Sequence, residues 1–297
     1  MEKIRIVADS CSDLTPEIIS ELDIEILPIY YILNDVIYAN DPFNPPMSIK
    51  EFYSLMKEGK EFKTSQINTE KTMDTFEQLV QKGYKILYLC FSSALSGTYN
   101  TVCTIKSDLE KKYKDCDIYV LDSALASISE GLFVYEVAKK SKEGLSFSKL
   151  IEFAENLKTK IHSFFTIDDI NGLKRGGRLT ATKALVAKLL NLKPCLRIDI
   201  TGRLLPFKAA RGTQNAIQTL FNSLIESYDT GNSAPLNEIW IGHADNFELA
   251  EILKEKIETH LKEKTPNIKI LYIGPVIGTH VGPNMLMIGF VGKKDNN

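Results

Sequence analysis

At 297 residues the chain is long enough for one large domain or two ordinary ones around a substantial core. Its 44% apolar and 25% charged residues describe an average soluble globular protein, and a formal net charge of −2 excludes the basic footprint of a nucleic-acid binder. No apolar run approaches the roughly 20 residues of a membrane span, and the charged start MEKIRIVADS lacks a signal peptide's apolar centre, so a cytoplasmic address is expected.

The first half alternates strand and helix patterns. KIRIVA (residues 3–8) alternates as a strand and stops at Asp9-Ser10; Thr15-Pro16 then reads as an N-cap followed by proline at the first helical position. IEILPIYYIL is strand-like but broken by Pro28, which suggests an edge or irregular strand. The three prolines of NDPFNPPMS predict a loop, followed by amphipathic helices at IKEFYSLMKEG and TMDTFEQLVQKG, a strand at KILYLCF and a helix at TYNTVCTIKSDLEKKY. The strand DIYVLDS and the helix ISEGLFVYEVAKKSKEG continue the alternation, which argues for a parallel sheet with helices on both faces.

The second half changes character. Helix patterns at 148–160 and 180–191 precede KPCLRIDITGRLLPFKAA, a hairpin turning at Thr201-Gly202. The helix TQNAIQTLFNSLIESY, the strand EIWIGHA, a long helix and the strands NIKILYIG and NMLMIGFVG complete the chain. The expected fold is therefore an N-terminal parallel-sheet α/β domain over residues 1–160, then an α+β domain with a mostly antiparallel sheet over 161–297.

Several strands end in small polar residues: IVADSCSD, YLCFSSALSG and YVLDSALAS. Ligands in open α/β sheets bind beyond the carboxyl ends of strands, so these tips suggest one polar crevice; helix capping by Asp9, Ser10, Asp122 and Ser123 is the competing reading. SSALSGTYN sets Ser92, Ser93, Ser96, Gly97 and Thr98 at a strand-to-helix junction, where backbone N–H groups and hydroxyls suit a carboxylate or phosphate. KTSQIN offers Thr64 and Ser65 before another helix, as caps or as crevice residues. IGPVIGTHVGPN reads as an irregular glycine-rich loop whose small residues leave the His280 ring unshielded, able to donate to an anion or act as a base. LKRGGRLTATK sets Lys174, Arg175 and Arg178 around two glycines, suited to phosphate or an acidic surface, or simply to solvent. Cys11, Cys90, Cys103, Cys116 and Cys195 have neither metal-ligand nor redox spacing, and no phosphate loop or G-x-S-x-G elbow is present.

Taken together and in this order, IRIVADSCSDL, TSQ, SSALSGTYN, VLDS, LKRGGRL and IGPVIGTHVGPN resemble the DegV family of bacterial fatty-acid-binding proteins over essentially the whole chain. Some members of that family are the acyl-carrying subunit of a two-component fatty acid kinase and so serve phospholipid metabolism. The resemblance implies a non-catalytic lipid-binding protein holding one long-chain fatty acid as its ligand, with no metal and no other cofactor. It assigns the carboxylate to Thr64, Ser96 and His280 with the backbone at Gly97, adds Ser65, Ser93 and Thr279 as further pocket residues, and makes Arg175 and Arg178 the place where a separate ATP-dependent kinase docks or phosphate is steadied. Ile67 departs from the proline that often follows TSQ in the family. Membrane contact, if any, would be transient, and Leu185, Val186 and Leu189 are candidate tunnel residues.

The chemistry is consistent with such a ligand. Burying a tail yields about 0.8 kcal/mol per methylene, while a buried carboxylate needs hydrogen bonds or it neutralises. The same residues fit two rival functions: a serine-dependent acyl ester or thioester hydrolase using Ser96 and His280, and a binder of phosphate ligands using the strand tips with Arg175 and Arg178.

Overall fold

The computed structural model describes residues 2–168, 170–179, 192–228, 238–261 and 266–294; the helix expected over 180–191, with Leu185, Val186 and Leu189, lies outside the described residues. In chain order the elements up to residue 160 are β1 (Ile4–Asp9), α1 (Pro16–Leu22), β2 (Glu25–Leu27), β3 (Tyr30–Leu33), β4 (Val36–Ala39), α2 (Ile49–Lys57), β5 (Phe62–Ser65), α3 (Thr69–Gln81), β6 (Lys85–Cys90), α4 (Thr98–Lys112), β7 (Ile118–Asp122), α5 (Ser127–Lys142) and α6 (Phe147–Lys158). There follow β8 (Ile161–Thr166), α7 (Asn171–Arg175), β9 (Lys193–Ile198), β10 (Leu204–Ala210), α8 (Thr213–Ser227), β11 (Glu238–His243), α9 (Phe247–Leu261), β12 (Asn267–Tyr272), α10 (Pro275–Val281) and β13 (Leu286–Val291).

The expected parallel sheet is present, with strand order β2-β1-β6-β7. Its central strand β6 is buried from Ile86 to Cys90, the continuous apolar run that a strand covered on both faces requires. The second sheet runs β10-β9-β8-β13-β11-β12 and is antiparallel except where β11 pairs with β12. The β9–β10 hairpin turns at Thr201 and Gly202 as its sequence indicates, and Gly202, at φ +78°, packs against Ser92 with no room for a Cβ.

A third sheet, β4-β3-β5, was not evident in the sequence. IEILPIYYIL is not one strand: the chain leaves the parallel sheet after Leu27, passes Pro28 and enters the antiparallel sheet at Tyr30. Asn34 and Asp35 then turn the chain with positive φ at both positions, the geometry of a two-residue hairpin. The same sheet carries β5, where Thr64 lies opposite Tyr31.

Helix α5 joins the layers. It is buried along most of its length, from Ser127 to Ala138, because it packs on the parallel sheet as well as on β8, β11 and β13. One apolar core accordingly includes Val7, Leu87 and Phe133 together with Trp240, Met285 and Met287. A smaller core fills the space between the second sheet and helices α8 and α9, around Leu220, Ile241 and Leu253.

Candidate functional site

A cavity of about 220 Å³ lies beyond the carboxyl ends of β1 and β6, enclosed by β5, the start of α5, the second sheet and α10. Its wall is largely buried and apolar, with Ile29, Leu95, Phe165, Leu173, Ile277 and Met287 among the lining residues. Polar residues gather where the wall becomes accessible: Thr64, Ser96, Arg178 and His280 are half-buried, while Ser65, Gln66 and Gly97 are exposed. An apolar chamber with a polar ring at its edge suits an amphiphile with one polar end.

Each side chain of the ring has a local cause. Ser92 folds the chain after β6: its buried hydroxyl donates to Gly202 O (3.0 Å) and accepts from Ala94 N (3.2 Å). That turn brings Ser96 to the start of α4, where its oxygen accepts from Thr98 N (3.2 Å) and lies 2.9 Å from Thr98 Oγ1. Gly97 sits under Gln66, whose Oε1 would be 2.6 Å from any Cβ placed there. Gln66 is a cavity residue that the sequence reading passed over, although it completes the TSQ stretch.

The stretch around His280 is a helix and not the irregular loop expected. Pro275 occupies its first turn, and Gly282 at φ +76° ends it. His280 is therefore not unshielded. Its ring packs against Gly176, and its Nε2 lies 2.8 Å from Thr64 Oγ1. Burial, with the Arg178 charge adding to it, pushes the imidazole pKa down to about 4, so His280 is neutral near pH 7 and its two ring nitrogens offer one donor and one acceptor.

The structure separates the two arginines of LKRGGRL. Arg178 lines the cavity, its Nε donating to Leu95 O (3.0 Å) and its Nη1 to Gly176 O, so it ties the LSG and GG turns together. Arg175 stands outward with a 62% exposed side chain, 3.9 Å from Glu61. Two further expectations need correction. Ser93 is exposed and outside the cavity wall, its hydroxyl engaged with Asp122, and Thr279 donates within α10 to Pro275 O (2.8 Å) without lining the cavity. The strand tips are structural as well. Asp9 accepts from Cys11 N, Phe91 N and Tyr88 Oη, Ser10 accepts from Ile29 N, Asp122 accepts from Ala124 N, and Ser123 donates to Cys90 O; none of these four residues lines the cavity.

Three acidic side chains, near the end of β1 and the start of α5, are held away from water. Desolvation raises Asp9 to about 6 and Asp13 to about 7, and it raises Glu130, whose carboxylate oxygens have no hydrogen-bond partner, well above the ordinary range. Asp9 and Asp13 bind protons more tightly folded than unfolded, so their contribution to stability is full below their ordinary value of 3.8 and is lost as pH rises through about 6 and about 7; Glu130 acts in the same sense. His280 acts oppositely: its contribution is present above 6.5 and is lost as pH falls through about 4. Glu136 is likewise raised by burial and His243 likewise lowered, and the four acids outweigh the two imidazoles, so the thermal midpoint is expected to rise when pH is lowered from about 8 to about 5. A scanning-fluorimetry series peaking at the alkaline end would contradict this assignment. Among the described residues, no group of three or more His, Cys, Asp or Glu is placed to hold a metal ion, and no helix is long and apolar enough to cross a membrane.

The class defined so far is a mixed α/β chain with an apolar chamber, edged by polar residues, beside its parallel and mostly antiparallel sheets. The chain belongs to the DegV family: the family model, described as an uncharacterised protein family, matches residues 3–293. It is 37% identical over 294 residues to a DegV domain-containing protein of Clostridium perfringens, covering 98% of each chain. Its structure resembles that of DegV from Bacillus subtilis, a fatty acid binding protein, with a TM-score of 0.83, 26% identity and coverage of 99% of this chain and 100% of that one. A fatty acid binding DegV family protein of Streptococcus agalactiae gives a TM-score of 0.84 at 25% identity, again over 99% of this chain and 100% of that one.

Proposed function

We propose that the protein holds one long-chain fatty acid, tail in the apolar chamber and carboxylate at Thr64, Ser96, His280 and the backbone at Gly97, and that it presents this acid to a separate ATP-dependent kinase for conversion to acyl phosphate. The observation that carries the reading is the placement of Thr64, Ser96 and His280 on the wall of one largely apolar cavity. A tail of some 15 methylenes yields on the order of 10 kcal/mol of transfer free energy before ordering costs. Thr64, Ser96, His280 and the Gly97 backbone offer the head group neutral donors, and the charge of Arg178, bonded to Leu95 O and Gly176 O, stands in the same ring.

A hydrolase would need Ser96 bonded to His280 as its base. The hydroxyl of Ser96 is instead paired with Thr98 and the ring of His280 with Thr64, which favours a binding role. The test of ligand class is native mass spectrometry of the protein purified without added lipid. A retained mass of a long-chain fatty acid supports the reading, and failure to bind any fatty acid after delipidation and titration would refute it.

In the same reading Arg175 is the contact for the kinase, because it is exposed and outside the cavity wall. The Arg175→Ala variant is expected to bind fatty acid within about twofold of the parent, as surface changes usually do, yet to be a poor substrate when a cognate kinase and ATP are supplied. Equal phosphorylation of both proteins would remove Arg175 from the interface.

A further inference from the structure

We propose that Ser127 forms a second polar subsite in the cavity wall, remote from the carboxylate ring, which selects a fatty acid bearing a hydroxyl group partway along its chain. The proposal rests on the fatty-acid reading above. Hydroxyl residues of the ring are half-buried or exposed; Ser127 also lines the cavity but is only 1% exposed, beside Ala126 and Cys11.

Its hydrogen bonding leaves capacity to spare. Ser127 Oγ donates to Asp13 Oδ2 (2.6 Å), and Asp13 is itself fixed by accepting from Gly274 N (3.0 Å). A serine oxygen has two acceptor positions beside its one donor, and among the described residues no donor is bonded to this one. A passing methylene leaves that oxygen unpaired against hydrocarbon, which is unfavourable. A hydroxyl on the chain donates to it and removes the mismatch. The corresponding O-methyl ether keeps the oxygen but has no proton to donate, and cannot.

Ser127 and the carboxylate ring are tied to opposite ends of α10. Asp13 is bonded to Gly274 at the beginning of α10, whereas His280 lies in the last turn of that helix. Six residues at about 1.5 Å each put about 9 Å between the two ends, a distance that the ligand crosses with its chain.

The experiment is calorimetric titration of the delipidated full chain at pH about 8, where Asp13, raised to about 7, is ionised and accepts the serine proton. The ligands are octadecanoic acid, its monohydroxy isomers with the hydroxyl at successive positions, and the O-methyl ether of each. For one short stretch of positions the hydroxy acid is expected to bind about tenfold tighter than its own ether, the effect of one buried hydrogen bond. The Ser127→Gly variant, which suits the φ of +55° at this position, should lose that preference and still bind octadecanoic acid. Equal binding of every hydroxy acid and its ether, or a preference that survives in the variant, overturns the subsite. Should the variant fail to fold, the ether comparison on the parent protein decides alone. If octadecanoic acid binds and the preference is absent, only the subsite fails; if no acid binds at all, the fatty-acid reading fails and takes the subsite with it.

Discussion

Replacing Ala126 by Phe is expected to weaken fatty acid binding by about 100-fold or more while leaving the fold intact. Ala126 lines the cavity and is buried, at the loop that leads into α5, with an extended backbone (φ −152°, ψ 154°) that any side chain adopts. A benzyl group there has a chamber of only about 220 Å³ to enter. Excluding about four methylenes at ~0.8 kcal/mol each removes about 3 kcal/mol, or two orders of magnitude in affinity. None of Thr64, Ser96 and His280 is altered, so the loss would be attributable to the tail. Titration with octadecanoic acid checks it, with thermal unfolding as the control for folding. Undiminished affinity would mean that the tail runs elsewhere.

The second large effect is expected from Gly176→Ala. The backbone at Gly176 is helical (φ −73°, ψ −11°), so alanine is conformationally acceptable. The obstacle is His280, whose Nδ1 would be 2.2 Å from the new Cβ. A side-chain ring yields more readily than backbone, so the imidazole is expected to swing away from Thr64 and not to unfold the chain. The carboxylate then loses one donor and meets a disordered second, a cost of about 1–3 kcal/mol, or roughly 10- to 100-fold in binding. The signature is a rise in the titration midpoint of His280 toward its ordinary 6.5, read by NMR, together with weaker binding. An unmoved imidazole would show that the GG turn can give way instead.

These expectations depend on features that were unequally legible in the sequence. The parallel sheet was plain because β1, β6 and β7 are apolar runs separated by well-marked helices, and the β9–β10 hairpin because Thr201-Gly202 interrupts two apolar stretches. The antiparallel sheet of β3, β4 and β5 was hidden, since its strands have four residues each and two of them lie on either side of a proline-rich loop and α2. Asn34-Asp35 was the available signal for that hairpin. In α10, Pro275 and Gly282 mark a beginning and an end in the usual manner, but Gly278 and neighbouring small residues obscured the helix between them. Gly278 is there because Tyr53 and Phe52 leave no space for a side chain, a tertiary demand that local propensity does not register.

The site was legible in composition and less so in assignment. Small hydroxyl residues at 64, 65 and 96 and the histidine at 280 do come to one cavity, but Ser93 and Thr279 are consumed by neighbouring backbone and carboxylate partners. No spacing rule distinguishes Ser93 from Ser96; the turn at Ser92 does, by sending one to Asp122 and the other to the cavity. Arg178 likewise differs from Arg175 only because Leu95 O and Gly176 O receive its guanidinium.

The bond between Thr64 and His280 has a further consequence. With Ser96 leaning on Thr98 and Arg178 on two carbonyls, the side chains at the rim hold one another in a fixed order. Under the proposed function a head group that meets these side chains must take the place of a protein partner, so each hydrogen bond it makes is an exchange with a small net gain.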